Sequence, residues 1–137
     1  MLTASAEIVV PFHDLDPVEI VWHGHYVKYL EVARDQLMNR IDYSHEAMRA
    51  SGFVWPVVEM KLRYLQAARL RQTLRVRASI LEYEYRLKIV YDISDAANGR
   101  RLTRAHTVQV PVRIDTGEML FQTPPVLREK ITAAQSR

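Results

Sequence analysis

Between Tyr26 and Ile41 the apolar positions are Tyr26, Tyr29, Leu30, Ala33, Leu37, Met38 and Ile41. That is the i, i+3, i+4, i+7 stripe of an amphipathic helix. Lys28, Glu31, Arg34, Asp35 and Asn39 fall on its other side, with Glu31 and Arg34 placed for an i, i+3 pair. Elsewhere the period is two. Val58, Met60, Leu62 and Tyr64 alternate with Glu59, Lys61 and Arg63. Leu74 to Ile80, Leu87 to Ile93 and His106 to Val112 alternate in the same way, with Thr107 and Gln109 on the polar side of the last run. Such patterns predict strands with one dry face and one wet face. Residues 6–12 form a further β-prone run, closed by the polar stretch His13-Asp14-Leu15-Asp16-Pro17. Proline at 17 disfavours helix at Asp16, so a loop begins there.

Punctuation between these runs is consistent with that reading. Asn98-Gly99 predicts a tight hairpin, and Asp115-Thr116-Gly117 a turn before Met119-Leu120-Phe121. Residues 42–52 read as a short helix or loop, with Ser44 ahead of His45-Glu46-Ala47-Met48 and Gly52 as a stop. Pro124-Pro125 ends the sheet, and 126–134 predicts a short terminal helix. The order is strand, long helix, then mostly antiparallel strands, an α+β layer of helix on sheet. At 137 residues this fits one domain over 1–137. The aromatic-rich stripe of the 26–41 helix is more than so small a chain can cover, which predicts a homodimer at least, or a homotetramer.

Composition narrows the chemistry. There is no cysteine, so thiolate catalysis, disulfides and zinc-thiolate sites are excluded. That fits a reducing cytoplasm. The N-terminus lacks the pattern of a signal peptide. The apolar runs are far too short for membrane insertion. A net charge of +3, with aromatics not interleaved in a basic run, points away from nucleic acid. It fits an anionic small molecule or an acidic partner protein.

Titratable groups crowd into residues 13–26, where His13, Asp14, Asp16, Glu19, His23 and His25 lead into the helix. A helix N-terminus offers unpaired N–H groups and a positive dipole end. These can hold a developing oxyanion while a carboxylate attacks a carbonyl or activates water against it. Acyl transfer needs both parts. Asp14 and Asp16 also read as turn residues, and His23 and His25 as capping residues. The spacing of the loop's His and Asp matches no metal motif, and no G-x-S-x-G elbow exists among Gly24, Gly52, Gly99 and Gly117. No cofactor is implied.

The run Asp14-Leu15-Asp16-Pro17, Ile20-Val21-Trp22-His23 and Tyr26 before the helix resembles the hotdog-fold thioesterases of the 4-hydroxybenzoyl-CoA thioesterase family, including the acyl-CoA thioesterase branch associated with the Tol-Pal system. The resemblance implies a long helix wrapped by a curved antiparallel sheet, with paired subunits and active sites at their interface. It implies hydrolysis of acyl-CoA or of an acyl-carrier-protein thioester. Asp16 takes the place of the catalytic carboxylate. His23 stands at the helix-start position whose backbone N–H polarises the carbonyl, and Tyr26 at the position that packs the helix. Two departures stand out: Val18-Glu19 replaces Ala-Gly or Gly-Gly, and His25 replaces Asn. The first favours an alternative, a non-catalytic acyl-binding or scaffold subunit on the same fold. Trp22, Glu19 and Tyr26 are candidate substrate contacts. Arg69 and Arg71, within the cluster Lys61, Arg63, Arg69, Arg71, Arg75 and Arg77, read as a solvated face or as a docking site for an anionic carrier.

Overall fold

The computed structural model describes residues 1–137. One strand, β1 (Thr3–Val9), precedes the long helix α1 (Tyr26–Arg40). A second helix, α2 (His45–Ala50), and a two-residue strand, β2 (Phe53–Val54), follow. Then come β3 (Val57–Tyr64), β4 (Thr73–Glu82), β5 (Leu87–Asp95), β6 (Arg101–Gln109), a short β7 (Val112–Arg113) and the terminal helix α3 (Pro125–Gln135). Five strands form one antiparallel sheet in the order β1-β4-β5-β6-β3, and β2 pairs with β7 beside it.

The helix lies against the sheet because its apolar stripe has somewhere to go. Tyr26, Tyr29, Leu30, Ala33, Leu37 and Met38 are all buried within one chain, so the stripe, contrary to the sequence expectation, needs no partner to cover it, and α1 packs chiefly on β1 and β4. The register lines up Val76, Ile93 and Thr103 across three strands, and likewise Ala78, Tyr91 and Ala105. Paired residues in a ladder share a face, so these rows form the floor under α1. Leu127 and Ile131 of α3 join the same 26-residue core. Removing that much apolar surface from water is the main term favouring the fold.

Several boundaries differ from the sequence expectation. The first strand runs over 3–9, earlier than 6–12, because its partner β4 continues to pair as far back as Ser79 with Thr3. The 42–52 stretch is a helix, capped where the Ala47 N–H donates to Ser44 Oγ (3.2 Å) and stopped at Gly52 with φ +92°. The Asn98-Gly99 turn is longer than a two-residue hairpin. Asp95 and Asn98 each cap an amide two residues on, and Gly99 takes φ +74°. Met119 contributes only an isolated bridge to Val112.

The larger correction concerns β6. Thr107 and Gln109, on the side read as wet, are buried under α1, opposite Ile89 and Leu87. Thr107 is satisfied by a hydrogen bond with Tyr91 Oη (2.7 Å), whereas Gln109 donates Nε2 to the Trp55 carbonyl (2.8 Å) and keeps its Oε1 without a partner. Val108, on the other face, is buried as well, so alternation carried no facing signal here. Arg34 also departs from its place on the wet side of α1. It pairs with Glu31 at 3.2 Å, but its side chain is only 16% exposed.

Candidate functional site

Asp14 is fully buried, and its carboxylate is the hub of the loop. Tyr29 Oη donates to Oδ2 at 2.5 Å and Lys28 Nζ to Oδ1 at 2.8 Å, both from the first turn of α1. His13 and His25 approach Oδ1 at 3.8 and 3.9 Å. Burial acts to raise the Asp14 pKa. The Lys28 and Tyr29 hydrogen bonds and the Lys28 charge outweigh it and hold the carboxyl below its ordinary value. The same contact, with burial, pushes the Tyr29 phenol well up. The Asp14 carbonyl accepts the Trp22 N–H at 3.0 Å, so one residue clamps both ends of the loop to the helix start.

Asp16 opens the tight turn inside that clamp. Its Oδ1 accepts the N–H groups of Val18 (2.9 Å) and Ile20 (3.4 Å), and its carbonyl accepts that of Glu19 (3.0 Å). Side-chain closure of this kind is what Asp offers a turn. The chain then needs a left-handed residue, and Glu19 supplies it at φ +65°. Glycine adopts that region without the Cβ clash. The glycine expected by resemblance at this position therefore has a backbone reason, and Glu19 meets the same geometry under strain.

Beyond the turn, His23–His25 form a 3-10 turn that runs into α1. The His25 N–H is bonded to the Trp22 carbonyl at 2.9 Å, whereas those of His23 and Gly24 donate to no backbone carbonyl. Gly24 is fixed by crowding, since a Cβ there would lie 2.2 Å from the Trp22 ring. Trp22, 47% exposed, lies over this turn with its ring 5.0 Å from His23 and 5.2 Å from His25.

Asp16, His23 and Tyr26 line one cleft of about 240 Å³, together with Ile20, Tyr64 and Leu65. Tyr64 Oη donates to the His23 carbonyl at 2.8 Å, and Tyr26 Oη accepts the Ala68 N–H at 3.1 Å. The two phenol rings meet edge to face at 5.1 Å. Burial raises the Tyr26 pKa, opposed by the Ala68 hydrogen bond and reinforced by the Asp16 carboxylate. The arrangement can do what acyl chemistry needs. It sets a carboxylate and an apolar wall around one opening, beside a helix start whose His23 and Gly24 N–H groups have no backbone partner.

The remaining candidates disperse. Glu19 is exposed on the turn. Arg69 and Arg71 are exposed on the loop between β3 and β4, where Arg69 bridges Ile20 beside the cleft. Arg75 and Arg77 are tied to Glu7 (3.1 Å) and Asp92 (3.3 Å) on the sheet face that the register shares with Lys61 and Arg63, so Arg69 and Arg71 on the loop stand apart from the strand residues of the cluster. Tyr64 was missed as a site residue. Its signal was its place as the last apolar position of an alternating strand. No group of three or more His, Asp and Glu side chains gathers as a metal site.

Residues 10–133 match the thioesterase-like superfamily, and the chain belongs to it. It is a thioesterase by family. A Synechocystis protein provisionally named an esterase is 29% identical over 120 residues, covering 87% of this chain and 72% of its own. An acyl-CoA thioester hydrolase of Escherichia coli is 30% identical over 71 residues, 52% of this chain and 53% of that protein. Among solved structures, a DHNA-CoA thioesterase from Staphylococcus aureus superposes with a TM-score of 0.86 at 21% identity, covering 99% of this chain and 93% of that one. That likeness fixes the hotdog fold, and none of these similarities singles out the Tol-Pal-associated branch.

Proposed function

We propose that this protein hydrolyses an acyl thioester, with acyl-CoA or an acyl carrier protein as donor, and that Asp16 carries the chemistry. The observation behind it is the shared cleft. Asp16 and His23 line it together, and the His23 and Gly24 N–H groups have no backbone partner. As base, Asp16 takes a proton from water while the oxygen adds to the thioester carbonyl carbon. The oxyanion that forms is held by the amides at the helix start. The C–S bond then breaks, and the proton passes from Asp16 to the thiolate. As nucleophile, Asp16 itself adds to the carbonyl carbon and the C–S bond breaks, leaving an anhydride on Asp16 and a free thiolate; water then cleaves the anhydride, which returns the Asp16 carboxylate and the free acid, and the proton released from that water goes to the thiolate. Tyr64 and Tyr26 position the turn through the His23 carbonyl and the Ala68 amide. Trp22 is proposed to contact substrate, with Arg69 and Arg71 drawing its anionic carrier to the cleft mouth. Glu19, exposed on the Asp16 turn, is proposed as a further substrate contact.

The working unit is one hotdog domain over 1–137 that pairs into a homodimer, with a homotetramer as a further assembly. Support comes from β3, an edge strand with Val57, Val58 and Tyr64 exposed. Unpaired edges of this kind invite pairing with another chain. Obligate interfaces bury roughly 2,000 Å² or more. Thiol release from matched acyl-CoA and acyl-carrier-protein substrates tests the reading. Release from either is expected, and none from a broad panel would overturn it.

A further inference from the structure

The sheet has a far face, turned away from α1, and its charge is one-sided. Successive strand residues point to opposite faces. Leu62 packs against the core and Tyr64 meets Tyr26 on the helix side, so Lys61 and Arg63 stand on the other. A cleft of about 420 Å³ opens there, and it shares no residue with the Asp16 cleft. Five Lys and Arg side chains line it, Lys61, Arg63, Lys88, Arg101 and Arg104, against one carboxylate, Asp92. Five minus one leaves an excess of four positive charges, where the whole chain has a net charge of +3. The remainder of the chain is therefore close to neutral, and the positive field is focused on this cleft.

The one carboxylate is already engaged. Arg101 Nε lies 2.9 Å from Asp92 Oδ1, and Arg77 Nη2 lies 3.3 Å from Oδ2. Glu59, the nearest acid on β3, is held by His106 at 2.9 Å. Lys61, Arg63, Lys88 and Arg104 form no ion pair. The register nevertheless sets Arg63 directly opposite Arg104. Like charges in that position repel, and an anion between them turns the repulsion into two attractions. Paired guanidinium forks match phosphate oxygens bidentately. Lys88 lies four residues along β5 from Asp92, the register partner of Arg104. The unmatched cations therefore extend over about 13 Å of strand, farther than one phosphoryl group reaches. Tyr91 is buried with its hydroxyl on Thr107, and His106 is tied to Glu59, so no free ring is offered for a base to stack on.

The geometry points to an anion site on the far face of the sheet that takes a linear oligophosphate, with Arg63 and Arg104 gripping one phosphoryl group and Lys61 and Lys88 holding those further along the chain. Docked protein surfaces are anchored by aromatic and aliphatic side chains in desolvated pockets, and this cleft is walled mainly by charged ones. The site is separate from the Asp16 cleft and stands independently of the thioester-hydrolysis reading. Pairing of two copies through the β3 edge leaves it open.

The test is calorimetry of the full chain with inorganic tripolyphosphate, orthophosphate and sulfate, alongside melting curves. Tripolyphosphate is expected to bind about 10-fold or more tighter than either smaller anion, and to raise Tm. Arg63→Ser combined with Arg104→Ser should weaken tripolyphosphate binding by about 10-fold or more. A second pair of changes, Lys61→Ser with Lys88→Ser, should bring the ratio of tripolyphosphate to orthophosphate affinity towards one. Melting curves show that each variant folds. Equal affinity for the three anions, or tripolyphosphate binding that survives both pairs of changes, overturns the inference. The KM for an acyl-CoA should be the same in the arginine variant as in native protein; a raised KM would place the substrate's own phosphates in the cleft and overturn a separate site. Retention on phosphatidylglycerol vesicles with no affinity for tripolyphosphate would assign the face to a membrane surface and overturn it equally.

Discussion

Asp14→Asn should lower stability far more than it lowers turnover. The carboxylate sits fully buried, with a phenol and an ammonium aimed at separate oxygens. The amide that replaces it keeps one acceptor and presents a donor to a second donor. If the retained oxygen serves Lys28, the buried Tyr29 hydroxyl loses its partner, at about 1–3 kcal/mol. If it serves Tyr29, the charged bond to Lys28 is lost. That bond is worth about 1.5–3 kcal/mol when buried and less here, because Lys28 is 52% exposed. Either way the loss is about 2 kcal/mol, or roughly 4–10 °C in Tm for a domain of this size. Thermal melts of native protein and variant read it directly, alongside thiol release. A second signature lies in pH. The folded-state pKa of Asp14 is depressed, so its stabilisation is complete above the unfolded value near 3.8 and is lost as pH falls below it. Native protein should lose Tm across that acidic range more steeply than Asp14→Asn. A variant melting within a degree of native, with the same acid limb, would refute the assignment of Asp14 as the clamp.

Three further outcomes follow from the loop and its surroundings. Glu19→Gly should stabilise by about 0.5–1 kcal/mol, since glycine takes the φ +65° backbone without a Cβ clash; a fall in Tm would contradict that strain. Gly24→Ala should drive the Trp22 ring from its place, because the new Cβ would lie 2.2 Å away; altered tryptophan fluorescence with lower thioesterase activity is expected, and an unchanged spectrum would contradict it. Reversing Arg69 and Arg71 together should raise KM more than it lowers kcat, with the effect shrinking as salt screens the charges over about 8–10 Å; an unchanged KM at low salt would mean these residues only face solvent.

The helix and most strands were legible because their burial follows period. Every apolar position read for α1 is buried, and β4 and β5 turn the expected residues inward. The β6 strand was not legible in the same way. Its inward residues Thr103, Thr107 and Gln109 are polar, and its outward Val108 is buried, so side-chain chemistry and facing came apart. Arg34 misled for a related reason, as a long charged side chain can cover apolar surface and bury part of its head. At the candidate site, the density of titratable groups located the loop. The resemblance had already set Asp16 apart from Asp14, and the structure locks Asp14 under α1 while Asp16 opens onto a cleft. Tyr64, from a strand some forty residues on, could enter only through the fold that brings it to the His23 carbonyl.

The central claim is that Asp16 performs the acyl chemistry, and Asp16→Asn measures it most directly. Asn keeps an oxygen for the Val18 and Ile20 amides that Asp16 Oδ1 now accepts, so the turn and the melting temperature should survive. Turnover should not, because an amide is neither base nor nucleophile. With the best acyl thioester of a panel, thiol release is expected to fall on the order of 10²–10⁴-fold, with substrate binding retained. A folded Asp16→Asn protein that releases thiol within a few-fold of the native rate would contradict the account and move the chemistry elsewhere in the loop.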